Sequence, residues 1–334
     1  MKTRNLHSLL FATTFSGLLF TACKKSTSDT NTSTTSSTDL QTQSDDEARV
    51  STESDAAFDD ANAAMIGQSS VTGASFASAA RFGVAVDGGN GGNGTLAGLL
   101  CNATVTVDST DNPRTITITY NGKTADSLRS RTGSVVISIA QGVHWSDAGA
   151  VVTVSFNSLA ITRLVDNKTI TFNGTHTYTN VSGGSLVTLT SSAAASITHT
   201  ITSSNMSITF DNGTTRTWSV ARQRVFSYSS GIVITQIGTG TQGSLQGLSE
   251  WGTNRFGNSF TVQVASPLVV AESCGWQLTS GSHIVTDAAG VLTLTYGLNA
   301  TGTATGCPVL GSVYYFQLVW AGTGGKTYTF ILPY

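Results

Sequence analysis

Residues 114–120 read RTITITY. Thr and Ile alternate there with a period of two, the spacing at which neighbouring side chains of an extended chain point to opposite faces. The texture returns along the chain: ATVTVD at 103–108, SVVISIA at 134–140, VVTVSF at 151–156, KTITF at 168–172, THTYT at 175–179 and SITHTIT at 196–202. It continues as MSITF at 206–210, TRTWSV at 215–220, SFTVQVA at 259–265, VLTLTY at 291–296 and VYYFQLVW at 313–320. A strand with Thr on one side and Val, Ile or Leu on the other has one wet face and one packed face. Antiparallel sheets accept that, whereas parallel strands are covered on both faces. Asn173-Gly174 and Asn212-Gly213 lie between such runs and predict tight hairpin turns. The expected fold is all-β and antiparallel, in sandwich-like or elongated sheets.

Composition agrees. Charged residues make up only 11% of 334, and 17 Lys+Arg against 19 Asp+Glu leave a net charge of −2. No basic stripe exists to neutralise phosphates, so nucleic acid is not an expected partner.

Before the strands the chain changes character three times. Lys2 and Arg4 precede an apolar run from Leu9 to Phe20, too short to span a bilayer comfortably. Thr21, Ala22 and Cys23 follow, with Lys24 and Lys25 behind them. This arrangement resembles the lipobox of bacterial lipoproteins, apart from Phe20 where Leu is preferred. It implies cleavage after residue 22 and acylation of Cys23, hence a lipid anchor to a membrane. Residues 1–22 are therefore expected as signal peptide and 23–43 as a flexible Ser/Thr linker. Residues 44–97 are expected as an acidic short helical segment, capped by Ser54 or Asp55, followed by a Gly-rich linker around DGGNGGNG at 87–94. The acids Asp45, Asp46, Glu47, Glu53, Asp55, Asp59 and Asp60 are expected on its solvated face. Residues 98–334 form the β-rich domain.

Motifs that carry chemistry are sparse. The chain has no G-x-S-x-G, and AGTGGKTY at 321–328 lacks the Gly that a phosphate loop places five residues before its Gly-Lys pair. It reads as a Gly-rich hairpin. His7, His144, His176, His199 and His283 show no metal spacing, and His176 and His199 are expected on a solvated strand face. No metal or cofactor is expected. Glu250 and Glu272 are the only Glu of the β domain. Among the Trp residues, Trp218 stands near Arg216, Arg222 and Arg224 and is the candidate ligand-binding surface, since an exposed indole can stack on a sugar ring.

Two stretches echo each other: CNATVTVDSTDNPRTITITYNG from Cys101 and CGWQLTSGSHIVTDAAGVLTLTYG from Cys274. They predict two related β units at the two ends of the domain. With TWSVARQRVF and GTNRFGNSFTVQVASPLV, they give residues 98–334 a likeness to a Bacteroidota lipoprotein family that is β-rich and of unknown function. Family members tend to carry a second Cys in each end unit. Here the later unit has Cys307, whereas the earlier one reads YNGKTADSLRS. Cys274 and Cys307 flank the last unit and are the expected disulfide, with Cys101 left as a buried thiol. A bridge from Cys101 to either is the alternative.

The function expected from these features is that of a membrane-anchored envelope lipoprotein, not an enzyme, whose β-rich domain contacts glycan, matrix or an envelope protein. The alternative is an envelope hydrolase acting on polysaccharide. Lys24 and Lys25, in place of the Asp that holds lipoproteins at the inner membrane, point to the outer membrane without assigning a face of it.

Overall fold

The computed structural model describes residues 37–66, 68, 71, 100, 102–124, 127–189, 196–274, 277–307 and 313–333. Strand accounts for about 64% and helix for 9%, so the chain is all-β with antiparallel pairing throughout. The signal peptide, Cys23, Cys101 and the DGGNGGNG stretch lie outside the described residues.

The strands are β1 (Ala103–Asp108), β2 (Arg114–Lys123), β3 (Arg129–Ile139), β4 (Ala150–Arg163), β5 (Lys168–Asn180), β6 (Ile197–Phe210), β7 (Thr215–Tyr228) and β8 (Ile232–Gly238). They continue as β9 (Gly240–Gln242), β10 (Leu245–Thr253), β11 (Ser259–Ala271), β12 (Gln277–Asp287), β13 (Gly290–Leu298), β14 (Tyr315–Gly322) and β15 (Thr327–Pro333). Among the described residues they make one sheet that runs in chain order from β1 to β7, then from β10 to β15. β8 pairs with both β7 and β11, and β9 extends β10. The two echoing stretches fold as the β1–β2 and β12–β13 hairpins. AGTGGKTY closes the β14–β15 hairpin, where the Gly322 N–H donates to the Lys326 carbonyl at 2.9 Å.

Several strands are longer than the alternating runs suggested. KTITF and THTYT are both parts of β5, and SITHTIT and MSITF are both parts of β6. Asn212-Gly213 does turn, with the Gly213 N–H donating to the Phe210 carbonyl at 2.9 Å. Asn173-Gly174 does not. It forms a bulge inside β5, where the register to β6 shifts between Asn173 and Thr177. Gly174 has φ +121°, and a Cβ there would come within 2.4 Å of the Asn205 carbonyl oxygen. A positive φ suits a bulge as well as a turn. The neighbouring strand decided between them. Further register shifts in β3–β4, β4–β5 and β6–β7 let these long strands bend.

Helix α1 (Ser37–Ile66) lies against the inner face of this sheet. It begins seven residues before the expected segment, within the stretch expected as linker. Isolated helices draw little from propensity alone, and the Asp45–Arg163 and Asp46–Arg255 pairs hold the turn that follows this extension against the sheet. Val50, Ala57, Phe58, Ala61, Ala64 and Met65 are buried at helical spacing against Ile116, Ile118, Val135, Val154, Phe156 and Phe172. Ala at 57, 61 and 64 allows close approach, and the Phe58 ring stacks on Tyr178 with centroids 3.9 Å apart. Each fully buried large apolar side chain contributes about 1.5–3 kcal/mol. Ser54 is buried in mid-helix and does not cap it. A second helix, α2 (Leu186–Leu189), is a single turn.

Cys274 closes a short 3-10 turn before β12 and is bonded to Cys307 beyond β13, with Cα atoms 5.1 Å apart.

Candidate functional site

Of the four residues expected to form a ligand-binding surface, Trp218, Arg216 and Arg222 are inside the protein and Arg224 is half-buried. Trp218 is 4% exposed, Arg216 2% and Arg222 7%. Alternation along β7 places residues 216, 218, 220, 222 and 224 on one face, as the period-two pattern requires. That face is the inner one. Arg216 is held by Glu47 of α1 at 2.7 Å and by Glu250 of β10 at 3.1 Å, and Arg222 also pairs with Glu250. The Arg216 guanidinium lies 4.2 Å from the Phe260 ring centroid. Arg224 donates to Gln236 at 2.7 Å. The group is a buried ionic cluster and not an exposed platform.

Five of the helix acids meet the sheet, and the side chains of Asp55 and Asp59 lie outside the described residues. Asp45 pairs with Arg163, Asp46 with Arg255, Glu53 with Arg129 and Asp60 with Arg131, each at 2.6 Å. Tyr120 donates to Asp60 at 2.8 Å. Five carboxylates of one helix thus meet five arginines of the surrounding sheet and its turns. Burial pushes the Glu47, Glu53 and Asp60 carboxyls up, and their arginine partners pull them back. Asp46 is pushed up to about 7, by burial first and against Arg255. The expected solvated acidic face does not exist at these positions, because a partner for each acid is supplied from strands far away in sequence.

His176 and His199 are 4% and 3% exposed, not on a solvated face. His199 lies between Trp145 and Phe226, with centroids at 4.8 and 4.9 Å, and burial followed by the Arg224 charge lowers its pKa to about 4. Glu272 accepts the Ile232 N–H at 2.7 Å, so it serves the backbone, while Glu250 is engaged by two arginines. No three His, Cys, Asp or Glu converge as a metal set among the described residues.

A different site opens on the outer face. The bulges of β5 and β6 interrupt their ladder between the Asn173↔Ser207 and Thr177↔Thr202 pairs. The gap forms a depression of about 460 Å³, lined by Thr175, Thr177, Thr202, Ser203, Ser204 and Asn205, with Trp251 of β10 on its far wall. Trp251 pairs with Ser219 of β7 and Thr261 of β11, which fixes it on the outer face. Its indole lies across Gly240, where a Cβ would come within 2.4 Å of the ring. The indole therefore has a flat floor and little freedom.

The polar wall is ordered by its own bonds. Ser203 Oγ donates to the Thr175 carbonyl at 2.6 Å, and the Thr175 N–H donates to Asn205 Oδ1 at 3.1 Å. The hydroxyls of Thr177, Thr202 and Ser204 have no partner among the described residues. No lining side chain ionises. The arrangement offers an apolar aromatic face beside several neutral donors and acceptors, and holds no nucleophile–base pair. Nothing in the sequence singles out Trp251, because the depression comes from bulges that no local pattern announces. Compared with protein-family models, curated proteins and solved structures, the chain has no match.

Proposed function

We propose that the protein is a membrane-anchored envelope lipoprotein that binds neutral glycan on its outer face without altering it. The observation that carries this reading is the uncharged, hydroxyl-lined depression walled by Trp251. A sugar ring presents an apolar C–H face and a rim of hydroxyls. The indole suits the first, and Thr177, Thr202, Ser204 and Asn205 suit the second. The buried ionic residues are engaged with one another and are not themselves a surface for a ligand. Cys23 and the apolar leader support the anchor, and Lys24 and Lys25 support the outer membrane.

The test uses the purified full chain in detergent against a panel of neutral and uronic polysaccharides, read by affinity electrophoresis. Retardation by a neutral polymer is expected, with retention lost in Trp251→Ala and the polymer recovered at its original length. Shortened polymer would replace the reading with the hydrolase alternative. Unchanged retention in Trp251→Ala would remove the depression from it. Metabolic labelling with a fatty acid, lost in Cys23→Ser, checks the anchor.

A further inference from the structure

We propose that β15 is a docking edge for a second copy of this chain, paired antiparallel about a two-fold axis so that two sheets become one. β15 is the last strand of the sheet, bonded to β14 on one side, with no strand on the other among the described residues. Its pairing with β14 runs from Tyr315↔Pro333 to Ala321↔Thr327 without a bulge. Its sequence, TYTFILP, carries no charge. Exposed edges are usually blunted by Lys, a bulge or a mid-strand Pro. Here Pro333 stands only at the last position.

The inner face at this edge is also open. Helix α1 reaches as far as Arg216 of β7 and Arg255 after β10. Leu292 and Leu294 of β13 still pack against the core, but further out Tyr328 is 46% exposed and Phe330 47%. Trp320, Tyr328 and Phe330 form a stacked row, with successive centroids 5.6 and 6.5 Å apart. The apolar inner layer thus continues past the helix to the sheet edge.

A second copy fits this edge better than an unrelated occupant does. Pairing β15 with itself, centred on Phe330, sets Phe330 opposite its own counterpart and Tyr328 opposite Leu332. Even-numbered residues share the inner face, so both aromatic rows join into one. A two-fold brings no like charges together, because the strand has none, and the contact closes on itself instead of propagating. A fully buried aromatic side chain hides 150–250 Å², so Tyr328 and Phe330 each leave roughly 100 Å² to cover. Four such rings and two strand edges make an interface at the small end of specific contacts, which points to a reversible dimer.

Sedimentation velocity of the full chain in detergent, over a concentration series, tests this. A monomer–dimer equilibrium is expected, and Phe330→Lys is expected to be monomeric at every concentration with its β-type circular dichroism intact. Because Phe330→Lys could also disturb the edge locally, Phe330→Cys gives a second reading: mild oxidation should yield a cross-linked dimer on a non-reducing gel, well above the wild-type background. A wild-type chain that stays monomeric throughout, a dimer that persists in Phe330→Lys, or absence of the cross-link would each overturn the proposal. So would loss of vesicle binding by Phe330→Lys in a monomeric protein, which would assign the aromatic row to lipid.

Discussion

Asp60 sits where two demands meet. Its carboxylate accepts from Arg131 at 2.6 Å and from Tyr120 at 2.8 Å, and the Arg131 guanidinium lies 4.5 Å from the Tyr120 ring centroid. Removing one partner of a buried pair costs about 3–5 kcal/mol, because the charge left behind has lost both water and its counter-ion. Asp60→Asn should lower unfolding stability by that order, read from urea denaturation, with the outer-face depression beside Trp251 unaffected. His199 gives a pH signature. Its pKa is about 4 in the fold and 6.5 when exposed, so the unfolded chain takes up the proton first as pH falls. The stability it contributes is fully present above pH 6.5 and is lost as pH drops towards 4, a change of about 3 kcal/mol. His199→Phe, which keeps a ring between Trp145 and Phe226, should reduce the fall of the denaturation midpoint across that window, the remainder coming from His283, whose pKa burial also lowers to about 4.

At the scale of elements, helix and sheet are matched by side-chain size. Ala57, Ala61 and Ala64 are fully buried and leave no room for growth. Ala61→Leu should cost about 1–3 kcal/mol through overpacking, and a lowered melting temperature with unchanged helix content would check it. The strands themselves were legible: RTITITY became β2, and TRTWSV opens β7, as period two demands. What alternation cannot say is which of two faces turns inward. Arg216, Trp218 and Arg222 looked like a surface because charged residues usually are, and the acids that bury them lie about 170 residues earlier at Glu47 and 28–34 residues later at Glu250. Asn173-Gly174 failed for a related reason. The dipeptide permits positive φ, but whether the chain reverses or bulges depends on Asn205 across the ladder. The depression beside Trp251 inherits that blindness, since it is made by the bulge.

For the molecule as a whole, the far end of the sheet has no α-helix packed on it among the described residues and is tied covalently. The Cys274–Cys307 bond spans 33 residues around β12 and β13. Closing a loop of that length contributes about 3–4 kcal/mol by restricting the unfolded chain. Reduction should lower the melting temperature, and limited proteolysis should then cut first between residues 274 and 307 while α1 and β2–β7 stay protected. The proposed pairing through β15 belongs to this same end, so reduction and dilution are expected to weaken it together.

The ladder of carboxylates on α1 also bears on how the molecule comes to be. Asp46 finds Arg255 across 209 residues of chain and Glu47 finds Arg216 across 169. Contacts so distant make for slow assembly, because a long loop must close before the attraction rewards it. Ribosomes make the helix first; Arg129, Arg131 and Arg163 follow with β3 and β4, whereas Arg216 and Arg255 appear only after β6 and β10 have been translated. Each of these ion pairs is met at one register of the strands only, so the helix acids favour that register over a slip by one residue, which would turn the arginines to the opposite face.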